Sequence, residues 1–201
     1  VGTATSDGGA DNISAYLKAA GNDGCGMKLD VADGDNVTEV VKAVAQQYAA
    51  PLVLVNNAGV TRDNLMMRMK ESQWDDIMSI NLKSVFNMSQ VLLRNFLKLR
   101  GGSIINIASV STLRPSPGTA AYGAAKAGMI GFMNALHLEG GKYNIRVNLL
   151  SPSARTRMTE DIGIPEQLLQ MMTPEAITAA CLYLVSDDAP SRVRRGSGHA
   201  G

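Results

Sequence analysis

Strand-like and helix-like segments alternate from one end of this sequence to the other, which predicts an α/β fold: a doubly wound parallel sheet with helices on both faces. Three observations carry that prediction. Residues 52–55 and 104–108 are short, nearly unbroken apolar runs, as strands covered on both faces must be. Between such runs, apolar residues recur at i, i+3, i+4 and i+7, the period of a half-buried helix. Polar residues stand just past the strand runs, at Asp30, Asn57 and Ser109, where open α/β sheets bind ligands.

Taken in order, residues 1–5 read as a strand. A helix follows with Ile13, Leu17 and Ala20 on one face and Gly21 as its stop. Residues 27–31 form a short strand, and Asp35 is placed to cap a helix carrying Val37, Val40, Val41, Val44 and Tyr48 on one face. The strand at 52–55 runs into Asn56-Asn57-Ala58-Gly59. A long helix is expected from about Asp75 to Leu99, closed by Gly101-Gly102, and then a strand at 103–108. A helix over about 119–139, a strand at 145–150 and a last helix at 174–185 complete the set. No repeat, linker or low-complexity stretch interrupts it, so residues 1–201 are read as a single domain.

Composition excludes several classes. Hydrophobic residues make up 45% and charged residues 18% of the chain, at a net charge of +1. That balance suits a soluble globular protein and argues against partners held by bulk charge, such as nucleic acid or a membrane surface. The arginines at 192, 194 and 195 read as a solvated tail. Cys25 and Cys181 are far apart with no ligand-spaced histidine, so neither a metal site nor a disulfide framework is expected, which fits a reducing cytoplasm. No apolar run has membrane length.

Tyr122 and Lys126 are four residues apart on a predicted helix, which places phenol and ammonium on one face. A cation there favours phenolate and lowers the phenol pKa toward the range of a working acid or base. Ser109, thirteen residues before Tyr122 at a strand end, adds a second hydroxyl that can converge on one carbonyl oxygen. Asn81 is a polar residue in an apolar helical run. It either bends the helix by local bonding or holds a water in a proton relay.

Asn-Asn-Ala-Gly at 56–59, then Asn81, Ser109 and Tyr122-x-x-x-Lys126, in this order and spacing, resemble the short-chain dehydrogenase/reductase family, which implies a Rossmann-like fold. The run VNNAGVTRDNLMMRMK at 55–70 looks like the 3-oxoacyl-[acyl-carrier-protein] reductase branch. LEGGKYNIRVN at 138–148 and ARTRMTE at 154–160 are more similar to the 3-hydroxyacyl-CoA dehydrogenase branch, so a mosaic of the two stays open. The resemblance implies that Tyr122 donates the proton, Lys126 lowers its pKa and holds the nicotinamide ribose, Ser109 polarises the carbonyl, and Asn81 anchors a relay water. It further implies cofactor contacts at Thr5, Asp30, Val31, Asn57, Ala58, Gly59, Pro152 and Thr156, and docking of an acidic carrier protein near Arg100. Ser153 stands where the family has Gly after the proline.

The implied substrate is a 3-oxoacyl thioester, carried by acyl-carrier protein or CoA, reduced in fatty-acid metabolism. Cytoplasmic homotetramers are the family expectation. Hydroxyl residues without a carboxylate at residues 3–6 favour NADP(H) over NAD(H). Two alternatives remain: a dehydrogenase of another alcohol or ketone, and a truncated, non-catalytic paralogue serving as a binding or assembly subunit. The family's Thr-Gly-x-x-x-Gly-x-Gly turn is absent, and the chain opens where the family's second strand would begin. A truncated chain is therefore expected, one whose isolated 201 residues bind dinucleotide poorly, with strands left unpartnered where the first strand would lie. Residues 192–201 do not resemble a closing strand.

Overall fold

Residues 1–112, 115–152, 174–191 and 194–197 are described in the computed structural model of the chain. Strands and helices alternate in it as expected. Parallel pairing joins β1 (Gly2–Ala4) to β2 (Gly26–Lys28) in one sheet. A second parallel sheet runs in the order β3 (Val53–Asn56), β4 (Gly102–Ile107), β5 (Ile145–Pro152), β6 (Arg194–Ser197). β1 and β3 each have one strand neighbour, so each keeps an open edge. Val53 and Val55 of β3 are correspondingly 43% and 42% exposed.

Local chemistry sets the helix ends. Ser6 caps α1 (Asp7–Ala19) by accepting from the Gly9 N–H, and Gly21, at a φ of 73°, turns the chain after it. The cap of α2 (Gly34–Gln47) is Asp33, not Asp35. Asp33 holds the extended backbone before the first turn, and its carboxylate accepts from the Asp35 and Asn36 N–H groups. The long helix begins at Glu71, one turn earlier than its apolar pattern predicts. There the Gln73 Oε1 accepts from the Lys70 N–H at 2.9 Å and supplies a first-turn donor with a partner. The helix continues as α3 (Glu71–Met78), a π-helical turn (Ser79–Lys83) and α4 (Ser84–Leu99). α5 (Ala120–Gly140) and α6 (Pro174–Val185) follow.

Helices cover both faces of the larger sheet. On one face Val85, Leu92 and Phe96 of α4 and Met129, Met133 and Leu136 of α5 bury Leu54, Ile104, Val147 and Leu149. On the other, Leu184 of α6 packs on Ile105 and Leu150. Close approach of α4 depends on Gly102, because a Cβ there would lie 2.5 Å from the Phe96 ring.

The C-terminal reading needs correction. Residues 194–197, expected to be tail, pair with β5 in register, Leu149 with Arg194 through Pro152 with Ser197. Edge pairing uses main-chain N–H and C=O groups, so an Arg-Arg-Gly-Ser segment can form it without an apolar pattern.

Register also aligns the strand ends. Asn56 is level with Asn106, and Ile107 with Leu150. A side-chain bond from Asn56 Nδ2 to Asn106 Oδ1, at 2.9 Å, ties β3 to β4 beneath the loop that follows. The carboxyl ends of β3, β4 and β5 therefore open on one side, where the segments carrying Asn57 and Ser109 leave the sheet and Pro152 ends β5.

Candidate active site

α5 brings Tyr122 and Lys126 onto one face, with Nζ 5.8 Å from the phenol ring centroid. Ala121 and Ala125, both fully buried, let α5 approach α3 and the π turn, where Ile77 packs and Trp74 and Met78 line the place of Tyr122. Lys126 Nζ donates to the Ile107 carbonyl at 2.8 Å, which fixes α5 to the end of β4. Two residues on, the Ser109 Oγ accepts from the Ser111 N–H at 3.2 Å and faces the phenol. Ser109, Tyr122 and Lys126 thus stand together at the end of β4.

Asn81 joins this group through the loop after β3. Its Nδ2 donates to the Val60 carbonyl (2.9 Å) and to the Ile77 carbonyl (3.0 Å), and its Oδ1 accepts from the Val60 N–H at 3.2 Å. Both amide protons are therefore spent on backbone. The bond to Ile77, four residues earlier, sits where the helix widens into the π turn. Asn81 is fully buried, and losing its amide would strand the Val60 groups at a cost of about 1–3 kcal/mol. Gly59 lies between Asn81 and Lys126: a Cβ there would stand 2.7 Å from Asn81 Oδ1 and 3.5 Å from Lys126 Nζ.

Burial pushes the Tyr122 phenol up, the Ser109 hydroxyl opposes the rise, and the Asp63 carboxylate adds to it. Lys126 is not among the groups that shift the phenol in the ligand-free chain. The ammonium donates one of its protons to the Ile107 carbonyl. Desolvation also weakens its charge by pulling its own pKa from 10.5 to about 8.

That shift has a measurable consequence. The unfolded chain holds the Lys126 proton more tightly than the folded one, so stability rises with pH between about 8 and 10.5 and the penalty is complete below about 8. Its size is about 3 kcal/mol. Lys126→Met keeps the packing and removes the titration. Relative to the natural chain, it is expected to be the more stable below pH 8 and to lose that advantage as pH approaches 10.5, read from urea midpoints across the window. Parallel pH curves for the two proteins would refute a desolvated ammonium.

Of the other anticipated positions, Thr5, Asp30, Val31, Asn57, Ala58 and Pro152 stand at or just past the carboxyl ends of β1, β2, β3 and β5. Thr5 is exposed between β1 and the cap of α1. The Asp30 carboxylate accepts from the Ala32 N–H (2.9 Å), while the Asp30 N–H is bonded by Asn36. Asn87 of α4 donates to the Val31 carbonyl at 3.0 Å and holds that loop against the larger sheet's helices. Asn57 and Ala58 are exposed beside Gly59, and Pro152 ends β5. Thr156 and Ser153 lie outside the described residues. Arg100 is elsewhere: it precedes β4, roughly 20 Å of strand from Ser109. Its guanidinium lies 5.6 Å from the Tyr143 ring centroid and donates to the Lys142 carbonyl.

Four residues of the region escaped the sequence reading: Asp63, Asn36, Asn87 and Asp7. Asn87 carried the same signal as Asn81, a polar residue inside an apolar helix. Asp7 supplies a carboxylate at the turn after β1, just past the residues read as hydroxyl-only, and Lys28 binds it at 3.0 Å and lowers its pKa. Among the described residues no cluster of His, Cys, Asp and Glu could hold a metal ion.

The described residues around Gly59 fit a nicotinamide dinucleotide, the group this motif set implies. Gly59 has no side chain to fill the space before Asn81 and Lys126, and the loop bearing it is exposed at the strand ends.

Comparison with known proteins agrees with the geometry. The family model described as short chain dehydrogenase matches residues 1–167. The 3-oxoacyl-[acyl-carrier-protein] reductase FabG of Vibrio cholerae is 40% identical over 198 residues, covering 94% of this chain and 80% of that protein. The Haemophilus influenzae FabG is 42% identical over 198 residues, covering 94% and 81%. The Escherichia coli FabG is 40% identical, covering 94% and 80%. With most of its length matched and Ser109, Tyr122 and Lys126 gathered at the strand ends, the chain belongs to the short-chain dehydrogenase family of oxidoreductases.

Proposed function

We propose that this chain reduces the ketone of a 3-oxoacyl thioester to the 3-hydroxyacyl form, with NADPH as reductant. The observation that supports the reading is the grouping of Ser109 beside the Tyr122 phenol, with Lys126 Nζ 5.8 Å from the phenol ring and bonded to the Ile107 carbonyl. Similarity to carrier-protein reductases at 40–42% identity favours acyl-carrier protein over CoA as the acyl carrier.

In this reading Ser109 Oγ and the Tyr122 phenol both donate to the ketone oxygen and stabilise the charge that develops on it. Tyr122 then gives up its proton. A phenol held high by burial is protonated at neutral pH, which suits an acid. When bound, the dinucleotide supplies the hydride. By the family resemblance Lys126 would hold the nicotinamide ribose, the exposed Asn57–Gly59 loop the adenosine ribose side, Asp30 and Val31 the adenine, and Pro152 would line the nicotinamide, with Thr5 and Thr156 as further cofactor contacts. Asn81 acts as a positioning residue: its amide fixes Val60 and so the loop in front of Lys126. With both amide protons committed, it offers a relay water only an acceptor.

The cation of Arg100, exposed at the amino end of β4, is available to an acidic carrier. Exposed Phe86 on α4 and Leu138 on α5 are apolar surface that a homo-oligomer would cover. Among the described residues no helix is long and apolar enough to cross a membrane, and a cytoplasmic enzyme is the reading adopted.

The test is oxidation of NADPH by the chain with acetoacetyl-carrier protein, and separately with acetoacetyl-CoA. Consumption that depends on thioester and yields the 3-hydroxy product is expected, faster with the carrier protein. No consumption with either thioester at saturating NADPH would remove the proposal.

A further inference from the structure

We propose that the exposed run Leu65-Met66-Met67 seats the acyl chain of the thioester, so that longer 3-oxoacyl groups are preferred to acetoacetyl. The inference rests on the thioester reading above and names the residues that set its chain-length preference. Three consecutive large apolar side chains face water at this turn: Leu65 is 45% exposed, Met66 65% and Met67 87%. Such a run adds nothing to the core, and outside a binding surface it only promotes aggregation. Its backbone is nonetheless fixed. The Leu65 carbonyl accepts from the Arg68 and Met69 N–H groups at 2.8 and 3.0 Å. Asn64 Nδ2 donates to the Arg68 carbonyl at 3.2 Å.

The same turn is tied to the helix that carries Tyr122. The Asn64 N–H donates to the Gly118 carbonyl at 3.1 Å, just before α5 begins. A Cβ at Gly118, whose φ is 90°, would lie 3.6 Å from the Asn64 main chain, so the two segments are in contact. Met69, past the turn, packs on the Ile77, Ala121 and Ala125 cluster together with Tyr122. Val110, next to Ser109, is 43% exposed and adds apolar surface beside the second hydroxyl. With the ketone oxygen on Ser109 and Tyr122, the alkyl tail beyond the ketone must lie on surface that borders those two residues. In acetoacetyl that tail is a single methyl group. In longer acyl groups it is a chain whose removal from water is favourable along its length. Methionine, unbranched and flexible, suits tails of differing length. A second copy of the chain is the weaker candidate for this surface, since three side chains on one turn fall well short of the roughly 800 Å² per partner that a stable interface buries.

NADPH oxidation with acetoacetyl- and with 3-oxodecanoyl-carrier protein reads the preference as a ratio of kcat/KM values. The natural chain is expected to favour the decanoyl form. Met66→Gln and Met67→Gln should each lower that ratio by about tenfold, through the KM of the longer thioester. Met67→Leu, which stays apolar, should keep it. Both positions are exposed, and unchanged circular-dichroism melts would establish that the variants fold. A natural chain indifferent to chain length, or the same ratio in all four proteins, would overturn the acyl seat and leave the thioester reading standing. A changed oligomeric mass in the glutamine variants at an unchanged ratio would also overturn it and assign the run to a second copy. No turnover of either thioester by the natural chain would overturn both.

Discussion

Tyr122→Phe is expected to lower thioester-dependent NADPH oxidation by about a hundred- to ten-thousand-fold, the usual worth of a positioned general acid. The substitution keeps the ring, and with it the packing against the cluster of Ile77, Ala121 and Ala125. Only the hydroxyl goes. Ser109 can still bond the ketone oxygen, so substrate binding should change little and the loss should fall on kcat. Lys126 keeps its bond to Ile107, so the melting temperature and the nucleotide dissociation constants should match the natural chain. A fall of less than about tenfold would remove Tyr122 as the proton donor. The alkaline limb of the natural enzyme's pH profile offers a second check. A phenol raised by burial and by Asp63 should hold its proton well into the alkaline range, so reduction should fail only there.

Gly26→Ala should produce the largest loss of stability available from a single methyl group. A Cβ at Gly26 would stand 2.0 Å from the Ala10 carbonyl oxygen and 2.9 Å from its Cα, so it would meet main chain that no rotamer change can move. The surroundings are also bonded shut: Ser14 Oγ accepts from the Gly26 N–H at 2.8 Å and donates to the Ala10 carbonyl at 3.1 Å. α1 would have to lift from β2 and break that bridge. A cost of about 3 kcal/mol is expected, the upper end for overpacking, which corresponds to a melting temperature lower by about 6–12 °C. A melting temperature within about 2 °C of the natural chain would show that α1 yields freely.

Much of the site was legible because its chemistry is local. Tyr122 and Lys126 meet through helix spacing alone. Ser109 stands out because it ends an apolar strand, and Asn81 because it interrupts an apolar helix. What Asn81 does was not legible. Its amide reaches Val60, twenty-one residues away, a contact that helix spacing does not reveal. Asp63 was missed for a related reason: an exposed loop carboxylate acquires meaning only from the phenol it faces. Asn87 shared the signal of Asn81 and was passed over, although it holds the Val31 loop.

By itself, then, the sequence determined the order of strands and helices, the helices on both faces and the residues that line the strand ends. Each depends on periodicity, capping or spacing within a few residues. The earlier start at Glu71 and the cap at Asp33 show the margin of that reading, since terminal turns are settled by individual side-chain bonds. Only the tertiary structure decided the rest. Pairing of β6 depends on main-chain groups that composition does not report. The raised phenol and the lowered ammonium depend on burial by several elements at once. The meeting of Lys28 with Asp7, twenty-one residues apart, depends on two parallel strands ending level. Proximity across the chain and removal from water are properties of the assembled fold.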